Sequence, residues 1–234
     1  MTSIAKKTRP QKSYIIEEIH KYGVLLDTRE IFIHGYMDYE EDQGTNFAMA
    51  NMLLKNLRVL ESNGGGPIII HQHNLGGDWQ SGMLMYDAIA HSACHIICIM
   101  HGEACSMGSI VPQAADTRII MPSCLFMLHD GYTGIHSSLT HKQSRSWAGM
   151  EAKSREIMLD IYSNVCGTGH FFQHNQSDAN QIRKFIVEKL DQKEDWFLFA
   201  KDAVNYGFAD AVFGTEGYET IEQIRDLIIN DSDE

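Results

Sequence analysis

The residues with the clearest chemical potential form the segment GEACSMGS at 102–109, which follows an apolar run at 96–100. The apolar run predicts a buried strand, and the small residues after it predict a turn into a helix. A serine at such a junction, here Ser106, lies beside the free N–H groups of a helix start, which favour negative charge. The position suits the nucleophile of an acyl-transfer enzyme, although a turn of small residues also serves close packing.

A serine nucleophile needs a base, and the base needs an acid that holds its tautomer. His129 directly follows a predicted strand at 125–128, so its imidazole stands at a strand end. The chain has 31 Asp and Glu residues, and spacing alone does not choose the acid among them. The pair Gly76-Gly77 ends another predicted strand, where a backbone N–H can approach an oxyanion or simply complete a turn.

Strands and helices alternate in the elements that would position these residues. Apolar runs predict strands near 24–26, 30–35, 67–70, 96–100, 118–121 and 125–128. Helical spacing of apolar residues marks 45–60, 80–93 and 138–165. This alternation predicts the α/β class, with repeated β-α-β units and a largely parallel sheet.

Composition narrows the function classes. A chain of 234 residues with 44% hydrophobic and 21% charged residues fits one globular domain. The net charge of −12 opposes a nucleic-acid partner, and no apolar run is long enough for a membrane span. The five cysteines include no Cys-x-x-Cys pair, which favours reduced thiols and a cytoplasmic location.

Six segments occur in an order that is found in one known family. They are LLDTREIFIHG at 25–35, NLGG at 74–77, SGMLMYD at 81–87, GEACSMG at 102–108, PSCLFMLH at 122–129 and DWFLFAKDAVNYGFAD at 195–210. Together they resemble the Clp protease proteolytic subunit (ClpP) family, serine peptidases of the crotonase-like superfamily. The resemblance runs from about Val24 to Val212.

The resemblance implies a crotonase/ClpP-like α/β fold of repeated β-α-β units with a protruding long handle helix at 138–166. It places the peptidase domain at 21–216, between a flexible N-terminal arm at 1–20 and a C-terminal tail at 217–234. The stretch 169–193 is longer than the family's connection at this point. Its amphipathic run from Ile182 to Leu190 predicts an added helix that alters the ring interface or covers the site.

The resemblance also assigns roles to individual residues. Ser106 is expected to be the nucleophile, His129 the base and Asp195 the acid, with Asp191 and Asp202 as alternatives because of the insertion. The expected oxyanion donors are the backbone N–H groups of Gly77 and Met107. An extended peptide substrate is expected to pair with the backbone at Asp78, Trp79, Gly131 and Tyr132.

The implied function is serine endopeptidase activity on unfolded polypeptides or peptides, through an acyl-enzyme, inside an oligomeric ring chamber. The implied assembly is a heptameric ring, single or double, served by an AAA+ ATPase unfoldase. A location in an organelle matrix and a phage-encoded origin are alternatives to the cytoplasmic location. Histidine pairs at 71/73, 91/95 and 170/174 have zinc-like spacing but no obvious third ligand, so we expect no metal and no cofactor.

Two other functions stay open. Asp130-Gly131 replaces the family's Gln-Pro after His129, and Glu194 replaces an arginine that takes part in ring-to-ring contacts. These departures keep open a non-catalytic ring subunit that acts as a scaffold or regulator. A crotonase-type acyl-CoA enzyme is the third reading, which the presence of all three triad residue types disfavours.

Overall fold

The computed structural model describes residues 12–34, 36–38, 42–131 and 138–231. The strands in these ranges are β1 (Val24–Leu25), β2 (Glu30–His34), β3 (Tyr36–Asp38), β4 (Asp42–Gln43), β5 (Ile68–Asn74), β6 (Ile96–Cys105), β7 (Thr117–Ile120), β8 (Leu125–Leu128), β9 (Trp196–Phe199) and β10 (Ala211–Val212). The helices are α1 (Lys12–Glu17), α2 (Phe47–Ser62), α3 (Trp79–Ala90), α4 (Met107–Ile110), α5 (His141–Cys166), α6 (His170–His174), α7 (Ala179–Lys193), α8 (Ala200–Asn205) and α9 (Ile221–Asp231).

The main sheet has the order β1-β2-β5-β6-β7-β10. Its strands run parallel from β2 to β10, and β1 is antiparallel to β2. The long strand β6 changes partner along its length: 97–100 pairs with β7, and 103–105 pairs with β8. Strand β9 then pairs antiparallel with β8. Because β6, β8 and β9 are neighbours, residues at their ends lie close together.

The central strands are apolar on both sides because the sheet is covered on both faces. Alternate residues of β5 separate into two cores: Ile68 and Ile70 join the larger core, whereas Ile69 joins the smaller one. The larger core includes buried residues of α2, α3, α5 and α7. The smaller core includes the fully buried Ile224 of α9.

The predicted handle is the 26-residue helix α5. It begins at His141 because Thr140 and Gln143 form a capping box, in which each side chain accepts a hydrogen bond from the other residue's backbone N–H. Residues 141–153 are exposed on all sides, whereas the later turns bury Met158 and Tyr162 among others. The first half of α5 therefore extends away from the domain core, as expected of a handle.

The insertion at 169–193 contains α6 and α7. Helix α7 starts at a second capping box, between Asp178 and Gln181. It packs on α5 and buries one residue per turn at Ile182, Ile186 and Leu190. The amphipathic run is thus a helix, and its apolar stripe belongs to the larger core.

The segments near the two ends of the chain contain more helix than the sequence indicated. Residues 12–20 of the predicted flexible arm are helical, in α1 and the π-helical turn Glu18–Tyr22 that follows it. The predicted C-terminal tail contains α9, whose Ile224 is buried and whose Arg225 Nη2 lies 3.1 Å from Glu30 Oε1. An apolar residue on α9 completes the smaller core, so this segment is packed on the domain. Across the described ranges, none of the helices combines the length and apolarity needed for a membrane span.

Candidate active site

Ser106 lies at the junction between β6 and α4, with backbone angles of φ 54° and ψ −125°. A positive φ is rare for a non-glycine residue and needs support from its surroundings. The Ser106 N–H donates to the carbonyl oxygen of Met127 at 2.9 Å. Its own carbonyl oxygen accepts from the hydroxyl of Ser109 at 2.7 Å, and that hydroxyl lies 2.7 Å from the Tyr162 hydroxyl on α5. Contacts to β8 and, through Ser109, to α5 thus hold the strained residue in place.

The Ser106, His129 and Asp195 side chains form a hydrogen-bonded chain. Ser106 Oγ is 2.7 Å from His129 Nε2, and His129 Nδ1 is 3.2 Å from Asp195 Oδ1. In the tautomer that this geometry favours, Nδ1–H donates to the carboxylate and Nε2 accepts from the hydroxyl. The arrangement allows the imidazole to take the serine proton while the carboxylate stabilises the resulting imidazolium.

The register of two antiparallel strands brings the imidazole and the carboxylate together. Leu128 of β8 is paired with Trp196 of β9, so His129 and Asp195 are opposed one residue beyond this pair. Cross-strand neighbours are close enough for direct side-chain contact. The structure therefore brings together the three residues that the sequence analysis named.

The two alternative acids lie elsewhere. Asp191, on the last turn of α7, has Oδ1 3.8 Å from Arg155 Nη2. Asp202 is exposed on α8. The carboxylate placed on His129 Nδ1 is that of Asp195.

A tight backbone turn links α7 to Asp195. Glu194 has φ 60° and ψ −65°, and the Asp195 N–H donates to the carbonyl oxygen of Lys193 at 2.7 Å. These values define a γ-turn with positive φ, which is a strained conformation. A single strained residue, Glu194, therefore connects the end of α7 to Asp195.

The Gly76-Gly77 turn lies directly against the nucleophile. Gly76 has φ 97° and Gly77 has φ 147°, and a Cβ atom added to Gly76 would overlap the Ser106 Cβ. Buried Asn74 holds the turn, because its Oδ1 accepts from the Gly76 N–H at 2.9 Å. The Gly76 carbonyl oxygen in turn accepts from the Thr45 N–H at 2.6 Å.

Among the N–H groups of the turn and of the start of α4, those of Gly77 and Met107 are the expected oxyanion donors. The Ser106 and Gly76 N–H groups are already bonded, and the Asp78 N–H donates to the Thr45 carbonyl at 2.8 Å. For Gly77 and Met107, we find no acceptor in the part of the chain that the structure describes. Such donors beside a nucleophile can stabilise an oxyanion.

A protein-family model described as Clp protease matches residues 15–216 of the chain. The chain belongs to the Clp protease family. It is similar to the ATP-dependent Clp protease proteolytic subunit of Deinococcus radiodurans, at 28% identity over 214 residues that cover 89% of either chain. It also resembles a solved structure of a ClpP1 mutant from Listeria monocytogenes, with a TM-score of 0.66 and 20% identity, covering 85% of this chain and 96% of that one. The predicted family, ClpP-like fold and serine-peptidase class are confirmed.

The four residues expected to bind substrate in this Clp family member have different environments. The Asp78 carboxylate caps α3, accepting from the Ser81 N–H at 2.8 Å. Trp79 is the first residue of α3, so the non-helical backbone after the glycine pair ends at Asp78. Gly131 lines a cavity beside His129, and Tyr132 lies outside the described residues.

That cavity has a volume of about 580 Å³ and is lined in part by His129 and Asp195. Its lining residues are Met127, His129, Asp130, Gly131, Leu190, Asp191, Glu194 and Asp195. Four of them carry carboxylates. The Asp130 carboxylate is paired with Arg155 of α5, at 2.9 Å between Oδ1 and Nε.

Cys105 precedes Ser106, but its thiol does not compete with the serine as a nucleophile. Burial raises the pKa of the Cys105 thiol to about 11, and nearby Glu103 and Asp195 act in the same direction. Burial also raises the pKa of Tyr162, which keeps its hydroxyl neutral beside Ser109. At neutral pH both groups are uncharged, so neither adds a charge behind Ser106.

His71 and His73, one of the pairs with zinc-like spacing, make contacts to other protein side chains. His71 Nδ1 is 3.1 Å from His101 Nε2, and His71 Nε2 is 3.1 Å from Glu30 Oε2. His73 Nε2 lies 3.5 Å from Glu103 Oε2. Among the described residues, no three His, Cys, Asp or Glu side chains are grouped so that they could hold a metal ion.

Three supporting residues of this Clp protease were not found from the sequence. Asn74 and Thr45 are buried polar residues that hold the glycine turn. A polar residue just before a glycine pair is a weak sequence signal for such a role. Arg155 carries no signal at all, because its partner Asp130 lies 25 positions away in the chain.

Proposed function

We propose that this member of the Clp protease family is a serine endopeptidase that uses Ser106, His129 and Asp195 as its catalytic triad. The observation that carries the proposal is the continuous chain of contacts, 2.7 Å from Ser106 Oγ to His129 Nε2 and 3.2 Å from His129 Nδ1 to Asp195 Oδ1. A non-catalytic scaffold has no need for this geometry, which requires a strained serine and a strained residue before the acid.

The proposed reaction has two halves. Ser106 Oγ attacks the peptide carbonyl carbon, and His129 Nε2 takes the hydroxyl proton. The carbonyl oxygen becomes an oxyanion that the Gly77 and Met107 N–H groups stabilise. His129 then passes the proton to the leaving amine, which gives an acyl-enzyme ester on Ser106. His129 then deprotonates a water molecule, which attacks the ester carbonyl carbon. As the bond from that carbon to Ser106 Oγ breaks and the carboxylic acid product leaves, the imidazolium returns the proton to Ser106 Oγ.

The proposed substrates are unfolded polypeptides or peptides. An extended chain would pair with the backbone beside the glycine turn on one side and at Gly131 on the other, and main-chain pairing gives affinity with little sequence preference. We propose that cleavage takes place inside a heptameric ring, single or double, fed by an AAA+ ATPase in the cytoplasm. The relative named ATP-dependent Clp protease proteolytic subunit and the exposed first half of α5 support this assembly.

Labelling by a fluorophosphonate probe tests the proposal, together with hydrolysis of a fluorogenic peptide. The wild-type chain should label and hydrolyse, and Ser106→Ala should do neither while keeping the same oligomer mass by light scattering. Ser62→Ala is the matched control, because this serine is exposed at the end of α2 and should leave both activities unchanged. If the wild type assembles but neither labels nor hydrolyses, the chain is a non-catalytic ring subunit.

A further inference from the structure

Arg155 connects the segments that carry the base and the acid. It lies on α5, and its side chain is 32% exposed. Its Nε is 2.9 Å from Asp130 Oδ1, and its Nη2 is 3.8 Å from Asp191 Oδ1. Asp130 directly follows His129, and Asp191 is four residues before Asp195.

The segments that Arg155 connects lie beyond the paired part of β8 and β9. The β8–β9 ladder ends at Leu128 and Trp196, so His129 and Asp195 stand just beyond its last pair. On the α7 side, Asp195 follows the strained γ-turn at Glu194. A contact from a third element at this level therefore helps to fix the separation of the two segments.

Without Arg155, the charged groups in this region would be mainly carboxylates. The groups of the described residues around His129 are Asp130 on its own segment, Asp191, Glu194 and Asp195 from the α7–β9 side, Arg155 from α5, and Cys105 beside Ser106. Four carboxylates share one cavity wall, and like charges that close together repel one another. Arg155 brings a single positive charge to two of them, and its planar fork suits a bridge between two carboxylates.

We propose that Arg155 is a positioning residue for the triad, which holds the segments of His129 and Asp195 together and cancels the Asp130 charge beside the base. This role rests on the proposed peptidase function. Arg155 acts through Asp130 and Asp191 and has no part in the chemical steps themselves.

Steady-state kinetics of Arg155→Met on a fluorogenic peptide, over a range of pH, tests the role in the full-length protein. We expect kcat to fall about ten-fold with KM nearly unchanged, because small misplacements of catalytic groups are costly. Asp130 becomes an unpaired carboxylate beside His129 and favours the imidazolium. The acidic limb of the kcat/KM profile should therefore move to higher pH.

Two further variants separate charge from structure. Arg155→Lys keeps the positive charge and should restore the position of the acidic limb. Asp130→Asn combined with Arg155→Met removes the freed carboxylate, and it should also return the limb to its wild-type position. A purely structural role for Arg155 predicts no shift of the limb in any of these variants.

Arg183→Met is the matched control. Arg183 also bridges α7 to α5, through Glu156 and Asp160, and its side chain is 25% exposed, but its partners lie away from the cavity. It should lower the unfolding temperature about as much as Arg155→Met while leaving the pH profile unchanged. An unshifted profile in Arg155→Met, in a wild type that labels and hydrolyses, overturns the positioning role alone. A wild type without labelling or hydrolysis overturns the peptidase function and this role with it.

Discussion

At the scale of single residues, the site depends on backbone conformations that few side chains tolerate. Ser106 and Glu194 both have positive φ, and each stands next to or within the hydrogen-bonded chain of the proposed triad. Strain of this kind persists where neighbouring contacts fix the backbone. Here the contacts come from Met127 and Ser109 around the serine, and from Leu190 and Lys193 around Glu194.

Gly76→Ala should abolish fluorophosphonate labelling. Gly76 has φ 97°, and an added Cβ would overlap the Ser106 Cβ and come within 3.0 Å of the Met107 nitrogen. Ser106 and the proposed oxyanion donor at Met107 would both be displaced, so we expect a loss of about a hundred-fold or more in labelling rate. Gly65→Ala is the control, since its Cβ would meet no atom within 4 Å. Equal labelling rates in the two variants would show that the turn does not shape the site.

Asp195→Asn should lower kcat by about a thousand-fold or more, because an amide neither holds the required histidine tautomer nor stabilises its charged form. Asp202→Asn, on the exposed face of α8, should leave kcat unchanged. Hydrolysis of a fluorogenic peptide by the two purified variants measures the difference. A thousand-fold loss in Asp202→Asn with an active Asp195→Asn would reverse the assignment of the acid.

At the scale of elements, the sequence was a good guide to which segments are helices and strands and a poor one to how they pair. The apolar run at 125–128 predicted β8 with the bounds that the structure has. The choice between Asp195 and its two alternatives, however, depends on the β8–β9 register, which joins positions about 70 residues apart. The strand predicted at 96–100 continues as β6 to Cys105 because its second half finds a new partner in β8.

The inserted helix α7 should contribute to stability as well as carry Asp195 towards His129. Ile186 is fully buried on α7, so Ile186→Ala should lower the free energy of unfolding by about 3 kcal/mol. Lys184→Ala, on the exposed face of the same helix, should change it by less than about 0.5 kcal/mol. Urea denaturation at one fixed protein concentration compares the two variants. A similar small change in both would mean that α7 is not part of the cooperative core.

At the scale of the whole molecule, we expect a histidine cluster on the central strands to make the fold sensitive to acid. Burial lowers the pKa of His101 to about 4, and neighbouring His71 and His73 act in the same direction. Burial works to raise the pKa of Glu30, but hydrogen bonds from His71, Thr28 and Arg225 outweigh it and lower that pKa overall. Both groups bind fewer protons in the folded state, so both lose stabilisation as the pH falls.

His101→Gln should therefore reduce the loss of stability between pH 7 and pH 5. The unfolded histidine takes up its proton near pH 6.5 and the folded one only near pH 4, so stability falls throughout this window in the wild type. After allowance for partial solvent exposure, the difference between variant and wild type should be about 1 kcal/mol at pH 5. Urea denaturation at the two pH values measures it, with exposed His91→Gln as the control. An equal loss in His101→Gln and the wild type would assign the acid sensitivity to other groups.

The exposed half of α5 makes the assembly testable at this same scale. Trp147 and Met150 are 42% and 43% exposed on a helix whose first 13 residues, 141–153, touch no core. Apolar side chains on a helix that extends into solvent favour contact with another protein surface, which in the proposed double ring is a second ring. Trp147→Glu would place a charge in that contact and should halve the particle mass in light scattering, from two rings to one. Trp147→Phe keeps an aromatic surface and should keep the wild-type mass. If Trp147→Glu leaves a particle of the wild-type mass, α5 does not join the rings; if the wild type already has the mass of seven chains, the single ring is the assembled form.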